Sequence, residues 1–355
     1  MSKYSLIIIV LVVINITSCK INPLSSPTNN LPDTTSHNYS WQIDTIGIYP
    51  SNIDGVWGTD RNNVYAVGLI FYSYSPYTFT GITHWDGEKW NSMDYHEGYL
   101  HDIYGFGSND IWAVGHWQVD YNQYALITHW NGSTWATWKL QQYPGLYGIW
   151  GSSSSNIYAV GTGGIIIHYD GSSWVKQSSG TSMDLVDICG IDTNNIYICG
   201  FATSTASGIL LNYTGNTWNT VTMGGVTNDS LKLFGEFESL WRNSKKNLYL
   251  VGSLSYEGLP GNWKMSDIPN NSPGPNLTGL ASMECVRGSE DNNVFICGSR
   301  DLIIHWNGRS WNIYNQFFDK SKQSSLHGIW TKDKNVFIVG YENGLSQAIV
   351  YRGNQ

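Results

Sequence analysis

The sequence predicts an all-β fold, a seven-bladed β-propeller of four-stranded blades, and three observations predict it. A strand, a tight polar turn and a second strand closing on glycine recur seven times; a second phrase recurs five times between these copies; and the composition favours strands and turns. The first phrase reads GVWGTDRNNVYAVG ending at Gly68, DIYGFGSNDIWAVG at Gly115, GIWGSSSSNIYAVG at Gly161, DICGIDTNNIYICG at Gly200, SLWRNSKKNLYLVG at Gly252, CVRGSEDNNVFICG at Gly298 and GIWTKDKNVFIVG at Gly340. The closing glycines lie 47, 46, 39, 52, 46 and 42 residues apart, the period of one propeller blade. The second phrase reads THWDGEKW ending at Trp90, THWNGSTW at Trp135, IHYDGSSW at Trp174, LNYTGNTW at Trp218 and IHWNGRSW at Trp311. With 38 Gly, 23 Tyr and 17 Trp, helical solenoids of similar period are excluded.

The charged fraction is 13%, about half the usual ~25%, as expected where most positions lie in packed strands or uncharged turns. The net charge is -8 with no lysine or arginine cluster. Nothing offsets repulsion by phosphates, so nucleic acid is excluded as a partner.

Residues 1–19 read as an export signal outside the fold. Lys3 gives a positive start, Leu6 to Ile14 a short apolar core, and Ile16, Thr17 and Ser18 place small residues before Cys19. A span needs about 20 apolar residues, so an anchor fits less well; an ordinary secretory signal is the other alternative. Residues 20–38 are rich in Pro, Ser, Thr and Asn and are expected to form a flexible tether. Residues 39–355 are the propeller.

In the third repeat, LYGIWG, NIYAVG, GIIIHYDG and SSWVKQ are strands a, b, c and d, joined at a–b and c–d by turns of Asp, Asn, Gly and Ser. The last repeat runs only through a strand c, AIVYRG, while an orphan segment, SWQIDTIG, precedes the first. Residues 40–47 are therefore expected to supply the missing strand d of the last blade, which closes the ring and removes open edges. A monomer is expected.

Four further cysteines lie in the repeats. Cys199 and Cys297 stand where other repeats carry Val67, Val114, Val160, Val251 and Val339, the position of a small hydrophobe. Pairing symmetrical about each a–b turn puts Cys189 and Cys199 on opposite sheet faces, and likewise Cys285 and Cys297, so no disulfide is expected.

The residues before Cys19 resemble the lipobox of bacterial lipoproteins, which implies cleavage before Cys19, lipid modification of its thiol, and an exported, membrane-anchored protein, expected in the outer membrane on its periplasmic or surface side. The repeats, over about residues 40–353, resemble the secreted bacterial propellers with WG…VYAVG…HxxGxxW repeats. That group is similar in style to photosystem II assembly-factor, kelch and Asp-box propellers. The resemblance is specific for fold and not for activity. The chain lacks the kelch glycine doublet, and HYDGSSW lacks the Asp-box spacing.

A meander puts the a–b and c–d turns on one face and the b–c and d–a connections on the other. The turns are nearly invariant, whereas the stretch from closing glycine to the strand c marker varies: 16 residues in repeat one, 14 in two, 7 in three, 12 in four and 7 in six. Binding is expected on the variable face. There, LIFYSYSPYTFTG (69–81), HWQVDYNQY (116–124) and YHEGYLH (95–101) crowd aromatics over blades one and two. Tyr72, Tyr74, Tyr77, Tyr95, Tyr99, Trp117, Tyr121 and Tyr124 are the candidate ligand-binding residues, suited to a sugar face or a protein contact. The d–a loops 220–238 and 265–280 add acidic material, including Asp229, Glu236, Glu238 and Asp267.

His84, His129, His168 and His305 occupy one equivalent position in four blades, so the ring separates them and they read as structural. Asp and Asn of the a–b turns read as turn formers. No metal, cofactor or catalytic residue is expected. Sialidase-like propellers clamp a carboxylate with three arginines, but of Arg61, Arg242, Arg287, Arg300, Arg309 and Arg352 only Arg300 belongs to a b–c loop. A carboxylate pair among Glu97, Asp120, Glu236, Glu238 and Asp301 could serve hydrolysis, but no spacing marks one. The expected function is a lipid-anchored envelope protein that binds a glycan or a protein through its variable face, with a glycan-active hydrolase as the alternative.

Overall fold

A computed structural model describes residues 34–223, 233, 235–243, 247–259, 262–266, 268, 281–319, 321, 324–342 and 347–355. Residues 1–33, with Cys19 and most of the expected tether, lie outside this set, as do Asp229 and Asp267. The strands form seven four-stranded antiparallel sheets. Six are consecutive meanders, beginning with Ile48–Asp60, Asn63–Tyr74, Tyr77–Trp85 and Trp90–Ser92 in blade one. The seventh is composite: Ser324–Lys332, Asn335–Glu342 and Gln347–Asn354 take their fourth strand from Ser40–Ile46, paired from Ser40 with Asn354 to Ile46 with Ala348. Arg352 clamps the closure, donating from Nε and Nη2 to Asp44 at 2.6 and 2.9 Å while its guanidinium lies 3.9 Å from the Trp85 ring. Residues 34–38, expected in the tether, are instead docked on blade six. Thr35 donates its amide to the Asn307 carbonyl, and Tyr314 donates its hydroxyl to the carbonyl of His37.

Apolar side chains alternate along the strands and collect between sheets. The seven buried clusters correspond to the seven seams of the ring, from blades seven and one round to blades six and seven. The closing glycines follow from this crowding, since strand a passes directly over them. A Cβ at Gly68 would land on the Asn52 carbonyl oxygen, and one at Gly298 on that of Ser282; the other five meet the equivalent atom. The c–d turns are set by Asx caps: Asp86, Asn131, Asp170 and Asn307 each accept two amides through Oδ1. The glycine after each has φ between 90° and 97°.

Two further regularities sit in strand a. Its fourth inner residue is often a tryptophan that fills the space over a glycine of the next blade: Trp57 over Gly105, Trp150 over Gly190, Trp241 over Gly288 and Trp330 over Gly58. Where the large ring is absent, at Cys189 and Arg287, the following blade has Arg242 and Thr331 in place of glycine. Strand a also carries a β-bulge beside its turn, between Gly58 and Asp60, Gly105 and Gly107, Gly151 and Ser153, Gly190 and Asp192, and Gly288 and Glu290. Blade seven lacks it, which is why its repeat phrase is one residue shorter.

The bulge corrects the expected facing of the cysteines. One extra residue on strand a shifts the pairing by one and flips the side chains relative to symmetrical counting. Cys285 is therefore the direct partner of Cys297, and Cys189 pairs with Tyr197 while Cys199 pairs with Asp187. Each pair shares a face. All four are free thiols.

Candidate functional site

The long b–c connections of blades one and two, expected as loops, are prolongations of strands b and c into two-residue hairpins. Ser75 and Pro76 join the first ribbon; Asp120 and Tyr121, with φ of 47° and 67°, join the second. Pairing places the aromatics. Tyr74 is the direct cross-strand partner of Tyr77, while Tyr72 is the extra residue of a bulge between Phe71 and Ser73, and Tyr72, Tyr74 and Tyr77 are 41%, 59% and 60% exposed. Tyr121 at the tip of the second ribbon is 96% exposed. Trp117 and Tyr124 are cross-strand partners with ring centroids 5.7 Å apart, half-buried, and the Lys139 ammonium lies 5.3 Å from the Trp117 ring. Tyr95 is buried in the seam of blades one and two, against Gly81, and offers no ring to a ligand. Tyr99 is half-buried and turned inward.

Tyr99 points to a set of residues that the repeats hid. The first inner residue of each strand a rims a central cavity of about 540 Å³ on the hairpin side: Asp54, His101, Tyr147, Val186, Glu238, Glu284 and His327, one from each blade. Asp54 Oδ2 accepts from the Tyr99 hydroxyl at 2.7 Å and lies 2.9 Å from His101 Nδ1. His101 Nε2 lies 3.1 Å from His116 Nδ1. Burial pushes Asp54 up, but the hydrogen bond from His101, the nearby His327 and the bond from Tyr99 outweigh it and hold the carboxyl below its usual range. Across the mouth, Glu284 is 3.2 Å from His327 Nδ1 and accepts from the Ser282 and Ser325 hydroxyls at 2.9 and 2.5 Å. Glu238, expected in a d–a loop, lies on strand a (Phe237–Arg242). Burial first, then Glu284 and Glu236, push it up to about 7.

One layer deeper, polar side chains stitch blade to blade. Asp102 accepts the Ile149 amide at 2.9 Å, Asp187 that of Leu240 at 2.9 Å, and Ser239 that of Val286 at 3.2 Å. Each is the second inner residue of its blade, receiving from the third of the next. Burial pushes Asp102 up to about 7, opposed by Arg287 and assisted by Asp187. Arg287 is committed to Asp187, and Arg352 to Asp44. Of the five nominated carboxylates, Glu97 is paired with Lys139 at 2.7 Å, Asp120 is at a hairpin tip and Asp301 is buried. Glu238 alone lines the cavity.

The four equivalent histidines are built into their blades. His84, His129, His168 and His305 place Nε2 against Asn63, Asp110, Asn156 and Asn293 at 2.7, 2.8, 2.6 and 3.0 Å. Each imidazole stacks on the aromatic ring beside it on strand b, with centroids 4.0–4.4 Å apart. Among the described residues no group of three or more His, Cys, Asp and Glu could hold a metal ion.

No family model matches the chain, and no curated protein matches its sequence. Solved propellers match its fold. YCF48 bound to D1 peptide superposes with a TM-score of 0.62 at 15% identity, over 91% of this chain and 99% of that one. Virginiamycin B lyase from Staphylococcus aureus gives 0.61 at 10%, over 90% and 100%. The WD40 propeller domain of Doa1 gives 0.58 at 11%, over 90% and 98%. At these identities the likeness establishes the seven-bladed fold.

Proposed function

We propose that this chain is a binding protein that holds a polypeptide segment on the hairpin face, between the ribbons of blades one and two and the mouth of the central cavity. One observation carries the reading: Tyr72, Tyr74, Tyr77 and Tyr121 are 41–96% exposed on the two paired β-ribbons of one face. Rigid, largely exposed rings lose little entropy on contact and bring area and a polar tip together. The carboxylates at the mouth favour a segment with basic side chains there. A propeller of the same architecture is described bound to a peptide, which supports a polypeptide over a glycan. The proposal includes export, lipidation at Cys19 and an outer-membrane address, with residues 20–33 as the spacer.

A photo-crosslinking residue placed at Tyr74 or Tyr121 in cells should give protein adducts that the same residue at Val175, exposed on blade three, does not give. Glycan-array binding lost in a Tyr74→Ala, Tyr121→Ala variant would replace the polypeptide by a sugar. Adducts equal at all three positions, with no such glycan, would remove the hairpin face as the site. Membrane release of a Cys19→Ala variant tests the anchor separately.

A further inference from the structure

The seam between blades six and seven contains a feature found nowhere else in the ring. The second inner residue of strand a faces the residue two before the closing glycine's successor on strand b, that is, the residue just before that glycine. These pairs are Gly55 with Val67, Asp102 with Val114, Gly148 with Val160, Asp187 with Cys199, Ser239 with Val251 and Gly328 with Val339. Only in blade six are both members thiols, Cys285 and Cys297. They are 3% and 0% exposed and belong to one apolar cluster. The Cys297 thiol lies 3.2 Å from the Leu326 carbonyl oxygen of blade seven, while Cys285 lines the central cavity.

We propose that Cys285 and Cys297 form a redox-active pair, which a small-molecule disulfide reaching the cavity converts into a cross-strand bridge. Directly paired β positions hold their Cβ atoms about 4.5–5.5 Å apart, and a bridge needs about 3.5–4.5 Å, so a small closure of the hairpin suffices. The two thiols have different roles. A hydrogen bond from Cys297 draws the Cys285 thiol down against the effect of burial, and the Arg287 guanidinium acts in the same direction; burial pushes Cys297 up. Cys285 is thus the attacking sulfur. Its thiolate attacks one sulfur of the incoming disulfide, forms a mixed disulfide and expels one thiolate. Cys297 then gives up its proton, attacks the Cys285 sulfur and expels the second thiolate, which takes that proton. The hairpin loses two electrons, and the incoming disulfide is reduced to two thiols.

The test uses the full chain incubated with glutathione disulfide, quenched in acid, alkylated after unfolding and cut with trypsin. Cleavage after Arg287 and Arg300 separates the two cysteines, so a bridge joins peptide 265–287 to peptide 288–300 until a reductant is added. The expected result is this joined, reducible species, two hydrogens lighter than the sum of its parts. Both peptides recovered alkylated, or glutathione left stably on Cys285 in the wild-type chain, would overturn the proposal. Cys297→Val installs the residue that five other blades carry, so the fold is kept. It should trap glutathione on Cys285. An unmodified Cys285 both in that variant and in Cys297→Ser, whose hydroxyl keeps a donor beside Cys285, would overturn its assignment as the attacking sulfur.

Discussion

Arg287 of blade six reaches past blade five and grips Asp187 of blade four, Nη1 to Oδ2 and Nη2 to Oδ1, each at 2.9 Å. Asp187 also accepts from the Ser239 hydroxyl at 2.6 Å and from two backbone amides, so the carboxylate ties three consecutive blades together.

Removing one partner strands the other. Arg287→Leu should destabilise the ring by about 3–5 kcal/mol in urea unfolding, because Asp187, 5% exposed, keeps a charge with no counter-ion. The Asp187→Asn, Arg287→Leu double variant should recover much of that loss. Additive losses would show that the pair acts as two independent anchors.

Glu238 gives the pH dependence a defined sign. Its carboxyl is raised to about 7, so between pH 4.5 and 7 the folded chain retains a proton that the unfolded chain has released. This contribution favours folding at low pH and is lost as pH rises through 7. Glu238→Gln should remove it, gaining about 1–3 kcal/mol on wild type between pH 5 and pH 8. Parallel stability curves for the two proteins would acquit Glu238.

His305 works in the other direction. Burial, then the neighbouring His37, lowers it to about 3. Below pH 6.5 the unfolded chain takes up a proton that the folded chain refuses, so this contribution is complete above 6.5 and shrinks as pH falls. Blade four carries Asn212 at the equivalent position. Thermal melts between pH 7 and pH 4 should show His305→Asn losing less than wild type; an equal or larger loss would contradict the assignment.

Gly105→Ala and Gly107→Ala form a matched pair. A Cβ at Gly105 would meet the Trp57 ring at 2.6 Å, whereas one at Gly107 meets nothing within 4 Å. The first should cost about 1–3 kcal/mol of unfolding free energy. The second should stay within about 0.5 kcal/mol. Equal effects would mean that the indole yields.

The ring, its blade order and its closure by Ser40–Ile46 were legible because repetition reports what every blade shares. The cavity was not, for the same reason. Asp54, His101, Glu284 and His327 come one from each of four blades, tens of residues apart, at a strand position where the repeats disagree, so no local spacing connects them. The aromatic hairpins were legible as a place but not in detail: Tyr121 is at a tip and Tyr95 lies in a seam, and only the pairing register separates them. The facing of Cys285 and Cys297 depended on a single bulge residue, Ser289, and a one-residue error in counting inverts a strand.

The match between a tryptophan and the glycine of the following blade also limits how such a ring can change over generations. A blade excised by recombination must leave compatible neighbours at the new join. Loss of blade six would bring Trp241 against Thr331, where the indole needs the space of a glycine, whereas loss of blade two would bring Trp57 against Gly151. The blades are thus inherited as an ordered series in which some breakpoints are permitted and others are not, and that order is written in one inner residue of each blade and one of the next.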